Sequence, residues 1–140
     1  MSSSYQVGDV TVSARRRVLV VEDEELLRVV LCRQLLNAGY DAVEARDGRE
    51  AVKILRGERP FALVLTDMIM PVMDGAELVI EIRRRWPELK VLAMSAYSPA
   101  ELFRFGIPHV DGPFLRKPFT PEDLVAAVHA ALERPPSTAA

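Results

Sequence analysis

Four short apolar runs in this chain are each followed closely by residues that can do chemistry. Val18-Leu19-Val20-Val21 leads into Glu22 and Asp23, and Phe61 to Leu65 leads to Asp67. Lys90 to Met94 leads to Ser95, and Phe114-Leu115 leads to Lys117 and Pro118. Three carboxylates, one hydroxyl and one ammonium would meet if those run ends share an edge. Carboxylates at close quarters repel. At an effective dielectric of about 20, each pair at about 4 Å costs on the order of 4 kcal/mol. Such a cluster persists only around positive charge. Lys117 supplies one cation. A hard divalent ion is the natural second, and Mg²⁺ suits a site with few carboxylates and several waters. A divalent ion and a lysine facing a carboxylate nucleophile is a layout for phosphoryl transfer, in which the protein positions groups and neutralises charge. Aspartate and glutamate are nucleophiles that form acyl phosphates.

The elements that must hold these groups alternate along the chain. The four apolar runs, with Tyr40 to Ala45 as a fifth, read as short strands, and Val18–Val21 suits one buried on both faces. Between them lie helical patterns. Asp23 to Ala38 carries Leu26, Leu27, Val30, Leu31 and Leu35 at helical spacing, with Gly39 placed for a C-terminal turn. Gly48 to Leu55 turns Ala51, Val52 and Leu55 inward. Asp74 can cap a helix carrying Leu78, Val79 and Ile82. A short helix follows near Pro99–Phe105, and Thr120 begins a last one that turns Leu124, Val125, Val128 and Leu132 inward. Five strands alternating with five helices make an α/β parallel sheet covered on both sides. Ligands bind such open sheets at the carboxyl ends of the strands, which is where the acids, the hydroxyl and the lysine fall.

Composition narrows the alternatives. The chain has 140 residues, 49% apolar and 27% charged, one domain's worth of a folded protein. A net charge of −2 lacks the basic surface expected of a nucleic-acid binder. Cys32 is the sole cysteine, so an intrachain disulfide and a cysteine zinc cluster are excluded. No run approaches the roughly 20 apolar residues of a membrane span. The N-terminus lacks the apolar core of an export signal, so a cytoplasmic location is expected. Residues 1–14 are expected to form a lead-in without regular structure, 15–134 the domain, and 135–140 a C-terminal tail.

Glu22-Asp23, the string Asp67-Met68-Ile69-Met70-Pro71-Val72-Met73-Asp74-Gly75, Ser95-Ala96, and Phe114-Leu115-Arg116-Lys117-Pro118-Phe119 together resemble the receiver domain of two-component response regulators. The likeness covers roughly residues 16–133. It implies a flavodoxin-like sheet of strand order 2-1-3-4-5. It implies that Asp67 accepts a phosphoryl group from a sensor histidine kinase or a histidine phosphotransfer protein. Glu22, Asp23, Asp67 and the backbone carbonyl of Ile69 would hold Mg²⁺, with Mn²⁺ as a substitute. Lys117 would pair with phosphoryl oxygens, and Ser95 and the Ala96 N–H would donate to them. Phe114 would be the aromatic switch that moves as Ser95 moves, and the Lys117–Pro118 bond would be cis. Such a protein is a switch that phosphorylates and dephosphorylates itself, not a turnover enzyme. Its downstream protein partner is unspecified, with neither nucleic acid nor membrane as a direct partner. It is expected to be a monomer or a weak phosphorylation-dependent dimer.

Simpler roles compete for some residues. Glu24 and Glu25 suit the start of a helix, Asp74-Gly75 suits a turn and cap, and His109 and His129 suit the surface. Phe114 could be plain core. The fourth helix can hardly exceed two turns before Gly106 and Pro108 interrupt it. Phe103 and Phe105 lie about 200° apart on such a helix, so at least one must be partly exposed, under a loop or as an anchor for a partner. Ile69 and Tyr97, each two positions beyond a site residue, are bulky enough to hinder an attacking water. Two other functions fit less well. An aspartyl-phosphate hydrolase needs a second Asp where Ile69 stands, and a nucleotide-binding module needs a Gly-rich phosphate loop that is absent. A degenerate receiver serving only as an interaction module would not need the full set of acids and lysine.

Overall fold

The computed structural model describes residues 3–7, 10–57 and 60–135. Its elements run β1 (Ser3–Val7), β2 (Val10–Ala14), β3 (Arg17–Val21), α1 (Glu25–Asn37), β4 (Asp41–Ala45), α2 (Gly48–Gly57), β5 (Leu63–Asp67), α3 (Gly75–Arg85), β6 (Lys90–Ser95), α4 (Pro99–Arg104), β7 (Phe114–Arg116) and α5 (Pro121–Glu133). Strands β3 to β7 form one parallel sheet in the order β4-β3-β5-β6-β7. Counting only those five strands, this is the expected order 2-1-3-4-5.

The N-terminal expectation needs correcting for two stretches. β1 and β2 pair antiparallel as a separate two-stranded sheet, with Val7 opposite Val10 and Ser3 opposite Ala14. The reason is visible in the sequence: Tyr5, Val7, Val10 and Val12 alternate with polar residues at the period of a strand. The tail expected at 135–140 lies, beyond Pro135, outside the described residues.

Alternation along the central strands decides which helix covers which face. Val18, Val20, Leu63 and Leu65 point to one side and pack with Leu31 and Leu35 of α1 and Leu124, Val128 and Leu132 of α5. Leu19, Val21 and Val64 point to the other and pack with Ala51, Val52 and Leu55 of α2 and Leu78 and Ile82 of α3. A third, smaller cluster joins Met68, Ala76, Ala93, Leu102 and Ile107 beneath α4. Each fully buried leucine contributes on the order of 2 kcal/mol of transfer free energy. The strands that present the acids are therefore anchored on both faces.

Two helices depart from a simple apolar stripe. On α1, Leu31 and Leu35 are buried and Leu27 is partly so, but Leu26 and Val30 face solvent. A position on the inward face is taken instead by Arg28, which is only 6% exposed. α4 is six residues long, begun by a Ser98 cap and followed by Gly106 at φ 86°. Phe103 and Phe105 are both exposed, at 69% and 58%, and the Phe105 ring meets Tyr97 edge-on at 5.1 Å.

Candidate functional site

Register assembles the site. Val21 pairs with Thr66, so Glu22 and Asp67 emerge side by side from β3 and β5. Asp67 pairs with Met94, so Ser95 is the next residue along on β6. Ser95 pairs with Arg116, so Lys117 is the next along on β7. Residues spread over 95 positions of sequence thus share one edge of the sheet.

The three acids converge. Glu22, Asp23 and Asp67 each offer a carboxylate oxygen, and these oxygens lie within 4.8 Å of one another. Lys117 Nζ donates to Glu22 Oε1 at 2.7 Å and to Asp67 Oδ2 at 3.0 Å. Three carboxylates facing one ammonium leave two negative charges unbalanced. A divalent cation would neutralise them, and the all-oxygen donor set with room for waters fits Mg²⁺. Glu22 is almost wholly buried, Asp67 is 8% exposed, and Asp23 faces solvent.

Burial sets the electrostatics. Desolvation raises the pKa of Glu22 above the usual carboxylate range, and the Asp67 charge adds to it. The hydrogen bonds from Lys117 and the Glu24 N–H oppose this without overcoming it. At Lys117 burial pulls the pKa down, but the Glu22 and Asp67 carboxylates together outweigh it, and the pKa ends raised. The ammonium is therefore a fixed positive charge at neutral pH. Cys32 on α1 is the opposite case: burial, helped by the charge of Glu44, pushes its thiol up to about 11, so it is a poor nucleophile.

The remaining expected residues surround the acids. The Ile69 N–H donates to Asp67 Oδ1 at 3.2 Å. Ser95 is buried, and its Oγ accepts from the Tyr97 N–H at 3.1 Å. The Lys117 N–H donates to the Ser95 carbonyl at 2.8 Å, and the Lys117–Pro118 peptide is cis. The Ala96 carbonyl accepts from Arg116 Nε at 2.9 Å. Phe114, opposite Ala93, is half-buried against the cluster under α4. A cavity of about 20 Å³ lies beside it, lined by Met68, Ala93, Leu102 and Val110 among others. That is room for about one water molecule.

Three further residues shape the site although the sequence assigned none of them a role in its chemistry. Gly75 brings the start of α3 against the end of β5. A Cβ there would lie 2.4 Å from the Asp67 carbonyl oxygen and 2.6 Å from Met68 Cα. Arg28 donates to the Glu22 carbonyl. Arg116 ties the loop after β6 to β7 and reaches Glu101 of α4 at 3.4 Å. The one available signal was Arg28, a long cation within the inward stripe of an otherwise apolar helix face.

Residues 18–129 match the response regulator receiver domain family. The chain belongs to that family. The receiver is 36% identical over 118 residues to response regulator MprA of Mycolicibacterium vanbaalenii, covering 84% of this chain and 51% of that protein. Against MprA of Mycobacterium tuberculosis the identity is 37%, with the same coverage. The chain thus spans about half the length of these curated relatives. In structure it is similar to the Vibrio cholerae chemotaxis protein CheY4, at TM-score 0.75 and 31% identity, over 84% of this chain and 99% of that one. It is also similar to Thermotoga maritima TrrA in complex with Mg²⁺-BeF, at TM-score 0.72 and 30% identity, over 83% and 98%. Among the described residues of this receiver, no helix is long and apolar enough to cross a membrane.

Proposed function

We propose that this receiver takes a phosphoryl group from the phosphohistidine of a sensor histidine kinase, or of a histidine phosphotransfer protein, onto Asp67. The observation that carries the reading is the convergence of Glu22, Asp23 and Asp67 within 4.8 Å, with Lys117 bonded to two of them. Glu22, Asp23 and Asp67, with the Ile69 carbonyl, would hold Mg²⁺, which when bound neutralises charge building up on the phosphoryl oxygens. The other work falls to the protein. An Asp67 oxygen attacks phosphorus. The P–N bond breaks with its electron pair remaining on the imidazole, and an O–P bond forms. Lys117, held between two carboxylates, is placed to exchange one of them for a phosphoryl oxygen.

The switch follows from charge. Phosphorylation turns one negative charge into about two and adds acceptor oxygens. The Ser95 hydroxyl leaves the Tyr97 N–H and donates to them, as does the Ala96 N–H. Phe114, half-buried beside Ala93, then turns its ring inward as Ser95 moves. Output then passes through α4 and β7, where Phe103 is exposed, to a downstream protein. The protein acts as a switch and not as a turnover enzyme.

The test is incubation with acetyl phosphate and Mg²⁺ followed by intact mass. One added phosphoryl group is expected, absent in Asp67→Asn and absent with chelator. A full-length gain in Asp67→Asn would remove Asp67 as the acceptor.

A further inference from the structure

Among the described residues, Arg28 is the one buried arginine. A cation at that depth persists only with its donors satisfied. Its Nη1 donates to the Glu22 carbonyl at 2.9 Å and its Nε to Glu44 Oε1 at 2.8 Å. The Glu22 carbonyl belongs to the peptide that joins Glu22 to Asp23. Rotation of that peptide plane would swing both acidic side chains. The same turn is fixed from two other directions. The Glu22 N–H donates to the Ala45 carbonyl of β4 at 3.1 Å, and Glu22 Oε2 accepts from the Glu24 N–H at 3.1 Å. Asp23, the exposed member of the trio, lies between these anchors and has the most freedom to leave the cluster.

We propose that Arg28, braced by Glu44, is a positioning residue for the divalent-cation site: it clamps the Glu22–Asp23 peptide onto β4 so that both carboxylates face Asp67. Guanidinium geometry suits this task. Its Nε and Nη1 are separate donors fixed in one plane, so the carbonyl of one element and the carboxylate of another are held at a set angle, which the single freely rotating nitrogen of an ammonium does not impose. The effect resembles that of groups behind metal ligands generally, whose loss costs about 10- to 100-fold in metal affinity.

A simpler view makes Arg28 a nearby positive charge that helps fold α1. The two views differ in sign. Removing a cation beside three carboxylates should tighten Mg²⁺ binding by electrostatics alone. Loss of the clamp should weaken it. The proposal rests on the metal reading above, so the test begins with Mg²⁺ titration of the wild-type chain by calorimetry, with Mn²⁺ binding followed by electron paramagnetic resonance as a second readout. Both are run at a temperature where circular dichroism shows every variant folded. Arg28→Met is expected to weaken Mg²⁺ binding about tenfold or more, and Arg28→Lys to recover only part of that. Glu44→Ala is expected to weaken binding, while Glu44→Gln, which keeps an acceptor for Nε, regains most of the loss. If Arg28→Met does not fold, the two Glu44 variants decide the matter, because Glu44 is half-exposed. Unchanged or tighter Mg²⁺ binding in Arg28→Met, or equal losses in Glu44→Ala and Glu44→Gln, would overturn the positioning role alone. A wild-type chain without saturable Mg²⁺ binding would overturn the metal reading and this proposal with it.

Discussion

Lys117 Nζ lies 2.7 Å from Glu22 Oε1, although the two residues are 95 positions apart. The same nitrogen is 3.0 Å from Asp67 Oδ2. One ammonium therefore serves two carboxylates that emerge from adjacent strands. It satisfies neither fully, because Asp23 brings a third negative charge within 4.8 Å. The arrangement stores repulsion at the site.

That repulsion predicts the effect of Asp67→Asn on stability. The substitution keeps an oxygen for the Ile69 N–H but deletes one of three crowded charges. Relief of repulsion on the order of a few kcal/mol is set against one weakened contact to Lys117. In metal-free buffer the variant should gain about 1 to 2 kcal/mol, raising the thermal midpoint by roughly 3 to 8 °C. Saturating Mg²⁺ should close the gap by stabilising the wild type alone. Thermal melts with and without Mg²⁺ measure this, and a lower midpoint for Asp67→Asn in metal-free buffer would contradict it.

The sheet and its acidic edge were legible because both rest on short-range patterns. A short, β-branched apolar run such as Val18–Val21 suits a strand covered on both faces, and the parallel register then brings the run ends together. What was hidden depends on contacts across the fold. The periodicity of α1 puts Arg28 in the inward stripe, but its partners, the Glu22 carbonyl on β3's exit turn and the Glu44 carboxylate on β4, are not visible there. The need for glycine at 75 follows from the backbone of Asp67 and Met68 crossing at contact distance. The β1–β2 pairing was overlooked because serines and polar residues flank its alternating apolar positions.

The loop between β5 and α3 carries two opposite backbone demands. Val72 has φ 73°, a left-handed conformation that is costly for a β-branched residue, and it is 68% exposed. The penalty is about 1 to 2 kcal/mol. Val72→Gly removes it, offset by about 0.5 to 1 kcal/mol of added freedom in the unfolded chain. A small net stabilisation, up to about 1 kcal/mol, is expected in urea unfolding. Gly75→Ala should do the reverse. Its Cβ would sit 2.4 Å from the Asp67 carbonyl, so the backbone must shift at a cost of about 1 to 3 kcal/mol. That variant should also phosphorylate more slowly, since the displaced strand end carries Asp67.

α4 is six residues long and depends on its cap. Ser98 Oγ accepts from the Glu101 N–H at 3.2 Å, and Glu101 Oε1 accepts from the Ser98 N–H at 2.9 Å. Those Ser98 hydrogen bonds, with Arg116 and Arg104, hold the Glu101 carboxyl below the usual range against a small opposing effect of burial. A depressed folded-state pKa means that this stabilisation is complete above the ordinary glutamate value of 4.5 and fades as pH falls through the lower one. Amide exchange of Leu102 to Phe105 should accelerate, relative to the sheet, as pH drops below about 4 after correction for intrinsic rates. Ser98→Ala should produce the same local loosening at neutral pH, at about 1 kcal/mol. Uniform protection across that pH range would show that packing of Leu102, and not the cap, holds the helix.

The lifetime of the phosphoryl group depends on what flanks Asp67. Ile69 and Tyr97 are each 40% exposed at the mouth of the site. Both backbones are pinned, Ile69 by its N–H to Asp67 Oδ1 and Tyr97 by its N–H to Ser95 Oγ. The Tyr97 ring is braced edge-on by Phe105 at 86°. The Ile69 side chain cannot orient a water for in-line attack as an amide or carboxylate would, and both side chains are bulky. Hydrolysis should therefore be slow. Ile69→Asn supplies a group that can position water, and Tyr97→Ala opens the approach, so each should shorten the lifetime several-fold, about 1 kcal/mol or less of barrier. Phe105→Ala, which frees the Tyr97 ring without touching Asp67, should give a smaller acceleration. The decay of the phosphorylated species by intact mass, in Mg²⁺ after removal of the phosphodonor, orders the variants. Equal lifetimes for Ile69→Asn and wild type would mean that water reaches phosphorus by a path these side chains do not guard.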